Sequence, residues 1–178
     1  MISITEKTLQ DLEFNTVLET IAGRCNTDIG EAKAMAITPF KNKEELLINL
    51  KQTSEYLSSF SNNNAIPNHG FENINYELKF LAIEDSFLEV GSFKKISNLS
   101  ETAITLIQFL KKFEDYYPNL YQKTSQIDIV KLILQRIDEV VDKFGIIKDN
   151  ASPDLIDIRR SINLVRGKIN QSFGMALS

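Results

Sequence analysis

The chain has 178 residues, of which 43% are hydrophobic and 25% are charged, as in a globular domain with a sizeable core. We therefore expect one domain, or one domain with the start of another. The formal net charge of −4 excludes a global attraction to nucleic acid. The charge is uneven, however, because residues 150–178 have a net charge of +2 and residues 1–149 a net charge of −6.

Cysteine, histidine and hydropathy narrow the class of protein further. The single cysteine, Cys25, excludes an internal disulfide and is typical of a reducing cytoplasm. One cysteine and one histidine cannot assemble a His/Cys zinc site. The N-terminus does not read as a signal peptide, and no run approaches the ~20 apolar residues of a membrane span. We expect a soluble, cytoplasmic protein with no membrane partner.

Helical periodicity starts early in the chain. An amphipathic pattern over residues 12–22 predicts a helix capped by Asn15 and ending near Gly23. Thr27 then caps a short helix over residues 28–37, which ends because a proline follows. Together these patterns predict a pair of short helices at the start of the fold.

A longer helix and a loop follow this pair. Asn42, with a glutamate three residues on, resembles a capping box and opens a helix whose apolar positions reach Phe60. Residues 58–68 are polar and turn-forming, which predicts a loop. Residues 74–83 contain a mixed pattern that predicts one or two short helices.

The next segment predicts two more helices and a turn. Ser92 is the expected cap of a helix over residues 93–110, and the stretch before Pro118 ends it. Residues 127–141 predict another strong helix. Residues 144–147 predict a turn with a short extended piece.

The last helix has the clearest signals. Ser152 can cap it, Pro153 suits its first position, and Asp154 complements the positive end of the helix dipole. Apolar residues recur at three- and four-residue steps along one face: Leu155, Ile158, Ile162, Val165 and Ile169. Basic residues are expected on the opposite face: Arg159, Arg160, Arg166 and Lys168. The fold class is all-α, an irregular helical array followed by a helix that leaves it.

Few residues are typical of catalysis. The chain has no Gly-rich phosphate loop and no nucleophile elbow. His69 could act as a base, but a loop histidine without a partner is the expected alternative. Cys25 could be a reactive thiol, although a small apolar filler is the expected role. We therefore predict no catalytic, cofactor-binding or metal-binding residues.

Acidic, aromatic and basic groups leave further alternatives open. The pairs Glu84-Asp85 and Asp138-Glu139 could bind a metal, but adjacent residues on a helix point apart and usually form a solvated face. Three tyrosines could stack on bases, although packing is favoured because no cations lie between them: Tyr116, Tyr117 and Tyr121. The basic residues of the last helix could contact phosphates or form an ordinary solvated face.

Two blocks of sequence resemble a known family. The first block comprises Leu9-x-x-Leu12-Glu13-Phe14-x-x-Val17-Leu18, Thr27-x-x-Gly30, Pro39 and Gln52-Thr53-Ser54-Glu55. The second is Ile147-Lys148-Asp149-Asn150-Ala151-Ser152-Pro153-Asp154-Leu155-x-x-Ile158-Arg159-Arg160. Both resemble the second bacterial MutS-type family, MutS-two, the Smr-bearing relatives of the mismatch-repair ATPase. The blocks occur in the family's order and spacing.

The resemblance implies the N-terminal piece of a longer protein. Residues 1–149 would be the helical core domain, and residues 150–178 the start of a truncated lever helix that leads into a DNA clamp. The fragment itself would lack catalysis and cofactors. The parent would be a homodimeric, DNA-binding ATPase that uses ATP and magnesium, with endonuclease activity that restrains homologous recombination at branched DNA. Collided ribosomes are a second implied target.

An alternative comes from another class of protein. The apolar face of the last helix could bind a protein partner, which would make the chain a stand-alone helical scaffold. A reading frame that continues past Ser178 into a Walker A motif would favour the MutS-two interpretation. A stop codon after Ser178 would favour the scaffold.

Overall fold

A computed structural model describes residues 4–176, and this part of the chain folds into nine α-helices with no β-strand. The helices, in chain order, are α1 (Glu6–Asp11), α2 (Phe14–Ala22), α3 (Asp28–Met35), α4 (Lys43–Ser58), α5 (Asn75–Leu81), α6 (Val90–Lys112), α7 (Pro118–Thr124), α8 (Leu132–Val140) and α9 (Pro153–Ala176). The prediction of an all-α fold is confirmed.

Three predicted helix caps are confirmed. The Thr27 hydroxyl accepts a hydrogen bond from the amide three residues on, at 3.0 Å. The Asn42 side chain accepts from the amides two and three residues on, at 2.7 and 3.1 Å. The Ser152 hydroxyl accepts from the amide three residues on, at 3.2 Å. Each cap satisfies backbone donors that the first helical turn leaves without a partner.

The helix predicted over residues 12–22 is present as α2, but an additional helix, α1, precedes it, and the predicted cap is wrong. α1 ends at Asp11, and Glu13 lies in the left-handed region, with φ of 51°, directly before α2. Glu13 is the N-terminal flanking residue of α2, so Asn15 lies inside the helix. α1 has no buried residue, which explains why an apolar pattern did not reveal it.

Several other boundaries differ from the prediction. α6 begins at Val90, with Glu89 as its flanking residue, so Ser92 is inside the helix and does not cap it. Pro118 begins a new helix, α7, because its fixed φ suits a first helical position. α8 begins at Leu132, about five residues later than predicted, and α3, α4 and α5 are each single helices that end at or before the predicted positions.

The turn predicted over residues 144–147 is confirmed, and residues 141–147 form a short hairpin between α8 and α9. Val141 and Ile147 form an isolated antiparallel bridge. The Asp142 carboxylate accepts hydrogen bonds of 2.9 Å from the amides two and four residues on. Gly145 takes a φ of 78°, which a residue without a Cβ adopts at no steric cost. The hydrogen-bonded turn therefore fixes the direction in which the chain enters α9.

Helix packing is open rather than compact. α2 packs on α1 and α3, α4 packs on α7, and α6 packs on α7 and α8. The buried apolar residues among those described are Leu18, Ala22, Ala34, Ile96, Leu110, Tyr117 and Val141. The accessible surface is 14228 Å², whereas a compact monomer of 20.2 kDa exposes about 8,800 Å². Large apolar side chains contribute to this surface, among them Phe87 at 81% and Phe60 at 72% exposed.

Candidate functional site

The base of α9 is held by a helix cap and an ion pair. Ser152 caps the helix, and the Arg159 guanidinium forms an ion pair with the Asp149 carboxylate. The same guanidinium donates to the Ile147 carbonyl at 3.4 Å. Arg159 therefore ties the first turns of α9 to the hairpin that precedes them.

The four predicted cations do not share one face of α9, so that part of the prediction is wrong. A helix turns by about 100° per residue, which nearly aligns Arg159 with Arg166, seven positions on. Each of these two lies only about 60° from the isoleucine three residues on, at the edge of the apolar stripe. Arg160 and Lys168 point in two other directions.

Ion pairing also divides the four cations. Arg159 pairs with Asp149, and Arg160 lies 3.7 Å from the Asp157 carboxylate. Within residues 4–176, Arg166 and Lys168 form no ion pair. These two are therefore the cations most available to an external anion.

Two shallow grooves follow α9. One, of about 540 Å³, is lined by both arginines of the helix base together with Asn150 and Asn163. The other, of about 390 Å³, is lined by Lys168, Phe173 and neighbouring apolar residues. Guanidinium and amide groups are suitable donors to phosphate oxygens. Asp149 also lines this groove and already pairs with Arg159, so a phosphate there would compete with that carboxylate.

The Gln52-Thr53-Ser54-Glu55 block joins two helices. Gln52, only 8% exposed, donates from Nε2 to the Asn119 carbonyl at 3.3 Å. The Glu55 carboxylate accepts from the backbone amides of Asn119 and Leu120, at 3.0 and 2.9 Å. Glu55 thus caps α7 from α4, which gives this block a structural role.

The Thr27-x-x-Gly30 block is also structural. A Cβ at Gly30 would lie 3.0 Å from the capping oxygen of Thr27 and 3.4 Å from the Cys25 Cβ. Cys25 itself is exposed, so its expected role as an apolar filler is wrong. Its thiol donates to the Ile21 carbonyl at 3.5 Å.

His69 has partners that its sequence context did not reveal. Its Nε2 lies 3.2 Å from the Tyr56 hydroxyl, and its Nδ1 lies 3.0 Å from the Pro67 carbonyl. The Tyr56 and His69 rings also meet edge to face, with centroids 5.7 Å apart. The histidine therefore holds the polar loop against α4, and the expectation of a partnerless loop histidine is wrong.

The tyrosines differ in their surroundings. Tyr117 is fully buried, and its hydroxyl donates to the Asn64 carbonyl and contacts the Asn62 side chain at 3.0 Å. Burial prevents Tyr117 from stacking on a base. Tyr116 is 60% exposed, and Tyr121 is partly buried.

The acidic pairs do not converge on one point. Glu84 and Asp85 lie in the turn after α5, where Asp85 has a φ of 59°. Glu139 pairs with Arg136 at 3.1 Å. In the described part of the chain, no group of three or more His, Cys, Asp or Glu side chains is placed to hold a metal ion.

One buried carboxylate was missed by the sequence reasoning. Glu77 is 3% exposed, and its Oε1 lies 3.7 Å from the Lys95 ammonium, which also approaches Glu72 at 3.5 Å. The other oxygen, Oε2, has no hydrogen-bond partner among the described residues. A glutamate in a short, largely apolar helix gives no sequence signal that it will be buried.

Apolar exposure is the last feature of the site. Among residues 4–176, no helix is long and apolar enough to span a membrane. Four members of the α9 stripe are nevertheless about half exposed, at 48–56%: Ile158, Ile162, Val165 and Ile169. The fold and this surface together define an open, all-α module with one projecting amphipathic helix.

Comparison with known proteins identifies relatives of this module. No protein-family model matches the chain. It is 28% identical over 173 residues to the endonuclease MutS2 of Alkaliphilus oremlandii, in a match that covers 94% of this chain and 22% of that protein. Identity is 25% over 166 residues to the endonuclease MutS2 of Symbiobacterium thermophilum and 26% over 168 residues to that of Lacticaseibacillus casei. These two matches cover 93% of this chain and 21% of each relative.

The chain is thus similar over nearly its whole length to proteins named endonuclease MutS2. The resemblance predicted from its two sequence blocks is confirmed. The chain spans about a fifth of the length of the curated relatives that it matches.

Proposed function

We propose that the chain is the N-terminal helical core of a longer, cytoplasmic MutS2-like protein and has no catalytic activity of its own. In this proposal α9 is a lever that links the core to a DNA clamp. An ATPase domain elsewhere in the longer protein would drive the lever with ATP and magnesium. The name of the relatives supports an endonuclease activity for the parent.

The contrast between the two ends of α9 carries the proposal. At the base, Ser152 and the Arg159–Asp149 ion pair fix the helix to the hairpin. Beyond the base, α9 packs extensively on none of the other helices described, α1 to α8. Its 24 residues form a rod of about 36 Å. A stiff rod anchored at one end turns a small rotation into a large displacement, as domain motions about hinges do.

We further propose that the cations of α9 contact nucleic-acid phosphates. The unpaired Arg166 and Lys168 would make the main contacts, and the paired Arg159 and Arg160 would add weaker ones. The target would be branched or duplex DNA, at which a homodimeric parent restrains homologous recombination. Collided ribosomes are the second target.

Distance measurements on the longer protein test the lever. With Cys25 replaced by serine, spin labels would be placed at Lys112, on the core, and at Gln171, far along α9. A second pair, at Ser161 and Gln171, reports the length of the helix itself. We expect the first distance to change between the ATP-bound and nucleotide-free protein, while the second stays constant. If the first distance is the same in both states, the lever proposal is wrong.

Fluorescence anisotropy tests the phosphate contacts separately. Duplex and four-way-junction DNA would be titrated at several salt concentrations with this chain and with the longer protein. In whichever form binds, the double variant Arg166→Ala/Lys168→Ala should reduce the slope of log affinity against log salt by about 2. The control Lys7→Ala/Lys51→Ala removes the same charge elsewhere and should leave the slope unchanged. Equal slopes in both variants would rule out these contacts.

The exposed apolar stripe favours a second function, a stand-alone scaffold that binds a protein partner through α9. Sequencing the gene beyond the codon for Ser178 separates the two proposals. A reading frame that runs on into a Walker A motif supports the lever, and an immediate stop codon supports the scaffold.

A further inference from the structure

An aromatic pocket lies away from α9, between α5 and the start of α6. Its lining consists of Tyr76, Phe80, Phe87, Leu88, Glu89 and Ser92, and its volume is about 380 Å³. Clefts for small molecules range over about 300–1,000 Å³, so the pocket is of a size to take one side chain of a partner.

The aromatic walls are displayed to solvent. Tyr76 and Phe80 stack on one another, with centroids 5.3 Å apart and planes at 29°. Tyr76 is 65% exposed and Phe87 is 81% exposed. Exposed aromatic residues grouped in one place are characteristic of protein interaction sites.

The turn before Phe87 is held in a fixed shape. The Ser86 hydroxyl donates to the Phe80 carbonyl at 2.6 Å, and the Ser86 amide donates to the Ile83 carbonyl at 3.3 Å. Asp85 adopts a left-handed backbone, with φ of 59°. A pre-formed turn lowers the entropic cost of binding, so Phe87 is presented in a ready position.

The negative charge of Glu89 at the edge of the pocket favours a cationic ligand. Glu89 is exposed and forms no ion pair with the residues described, and its side chain does not cap α6. Ser92 and the Tyr76 hydroxyl are the other polar groups of the lining. Aromatic faces attract cations through their quadrupole, and the carboxylate adds a full negative charge. The net charge of −6 on residues 1–149 also favours a basic partner.

We propose that this pocket binds an arginine side chain of a protein partner, with the guanidinium over the aromatic faces and paired with Glu89. The apolar stem of the arginine would lie against Leu88. The partial positive charge at the N-terminus of α6 offsets part of the glutamate charge, so a single arginine should bind weakly. Affinity would come from the rest of the partner surface.

Nuclear magnetic resonance titration of the full chain tests the pocket. The probes are acetyl-Ala-Arg-Ala-amide, the same tripeptide with neutral citrulline, the same tripeptide with leucine, and adenosine. We expect the arginine peptide to shift the ring signals of Tyr76, Phe80 and Phe87, and the other probes to shift them much less. Equal shifts with citrulline, leucine or adenosine would overturn the proposal in favour of an uncharged, apolar or base-stacking occupant.

Two variants locate the interaction. Glu89→Gln should weaken binding of the arginine peptide by about two- to fivefold, the size of one exposed electrostatic contact. Phe87→Ala should weaken it by a similar factor. The control Phe173→Ala removes another largely exposed ring from α9, 66% exposed against 81% for Phe87, and should have no effect. Unchanged binding in both pocket variants, with circular dichroism unchanged, would also overturn the proposal.

Discussion

Glu55 on α4 caps a different helix: its Oε2 accepts a 2.9 Å hydrogen bond from the Leu120 backbone amide, within the first turn of α7. Helix α7 is only 7 residues long, so it depends on this cap from outside its own sequence. A carboxylate at a helix N-terminus satisfies free amides and also complements the helix dipole. The contact therefore joins helix formation in α7 to the packing of α4.

Removing this cap should destabilise the fold. We expect Glu55→Ala to lower the free energy of unfolding by about 2 kcal/mol, because the capped amides are left in a part-buried site. Urea denaturation followed by circular dichroism measures the change. Glu114→Ala is the control, since Glu114 is exposed in the turn before α7. A loss for Glu55→Ala no larger than for the control would contradict the capping role.

Tyr117 and its neighbour Tyr116 allow the same substitution to be compared at a buried and an exposed position. Tyr117→Phe deletes only the hydroxyl that bridges Asn62 and the Asn64 carbonyl. We expect a loss of about 1–2 kcal/mol, because both loop groups would lose a buried partner. Tyr116→Phe, at a 60% exposed position, should change stability by less than about 0.5 kcal/mol. Similar denaturation midpoints for the two variants would show that the buried bridge contributes nothing.

Replacement by alanine should change the melting temperature in opposite directions at two glycines. Gly30→Ala would place a methyl group 3.0 Å from the Thr27 hydroxyl. We expect the disturbed α3 cap to outweigh the helical preference of alanine, about 1 kcal/mol, and to lower the melting temperature. Gly167 lies in the middle of α9 with nothing within 4 Å of an added Cβ. Gly167→Ala should add helical content, since alanine is favoured over glycine by about 1 kcal/mol in a helix interior. Circular dichroism melting separates the two effects, and a shared sign would refute the steric argument at Gly30.

The buried Glu77 should make Lys95 costly to remove. Lys95→Met leaves the Glu77 side chain, which is 4% exposed, without its cationic neighbour. We expect a loss of about 1–2 kcal/mol, below the range for a fully buried pair, because Lys95 is 40% exposed and solvent screens its charge. The double variant Glu77→Gln/Lys95→Met should recover part of this loss, because no buried charge remains. If the double variant is no more stable than Lys95→Met alone, Lys95 does not stabilise the buried charge of Glu77.

Local signals in the sequence predicted much of the fold. Ser152, Asn42 and Thr27 are caps whose chemistry acts within three residues, so the sequence alone was sufficient to place them. The break at Glu13 was not predictable in this way, because a left-handed glutamate has no residue-type signal. α7 was missed because Pro118 can either end one helix or begin the next, and only the distant Glu55 decides between them.

The candidate site was predictable only where it depends on local sequence signals. Residue types and spacing were enough to find the cations of α9 and its apolar stripe. The pairing of Arg159 with Asp149 depends on the turn between them, so the sequence did not show that two of the cations are already engaged. His69 likewise finds Tyr56 only after the loop folds back onto α4. The aromatic pocket requires α5 and α6 to meet, which no periodicity reveals.

The open arrangement of the helices affects how the chain should unfold. α1, α2 and α3 make their extensive helix contacts with one another, while α4, α6, α7 and α8 form a separate packed group. Cooperative units of this kind exchange their amide hydrogens at different rates. The first three helices should therefore lose protection at lower denaturant concentrations than α6, and a single melting temperature would be an average over two transitions.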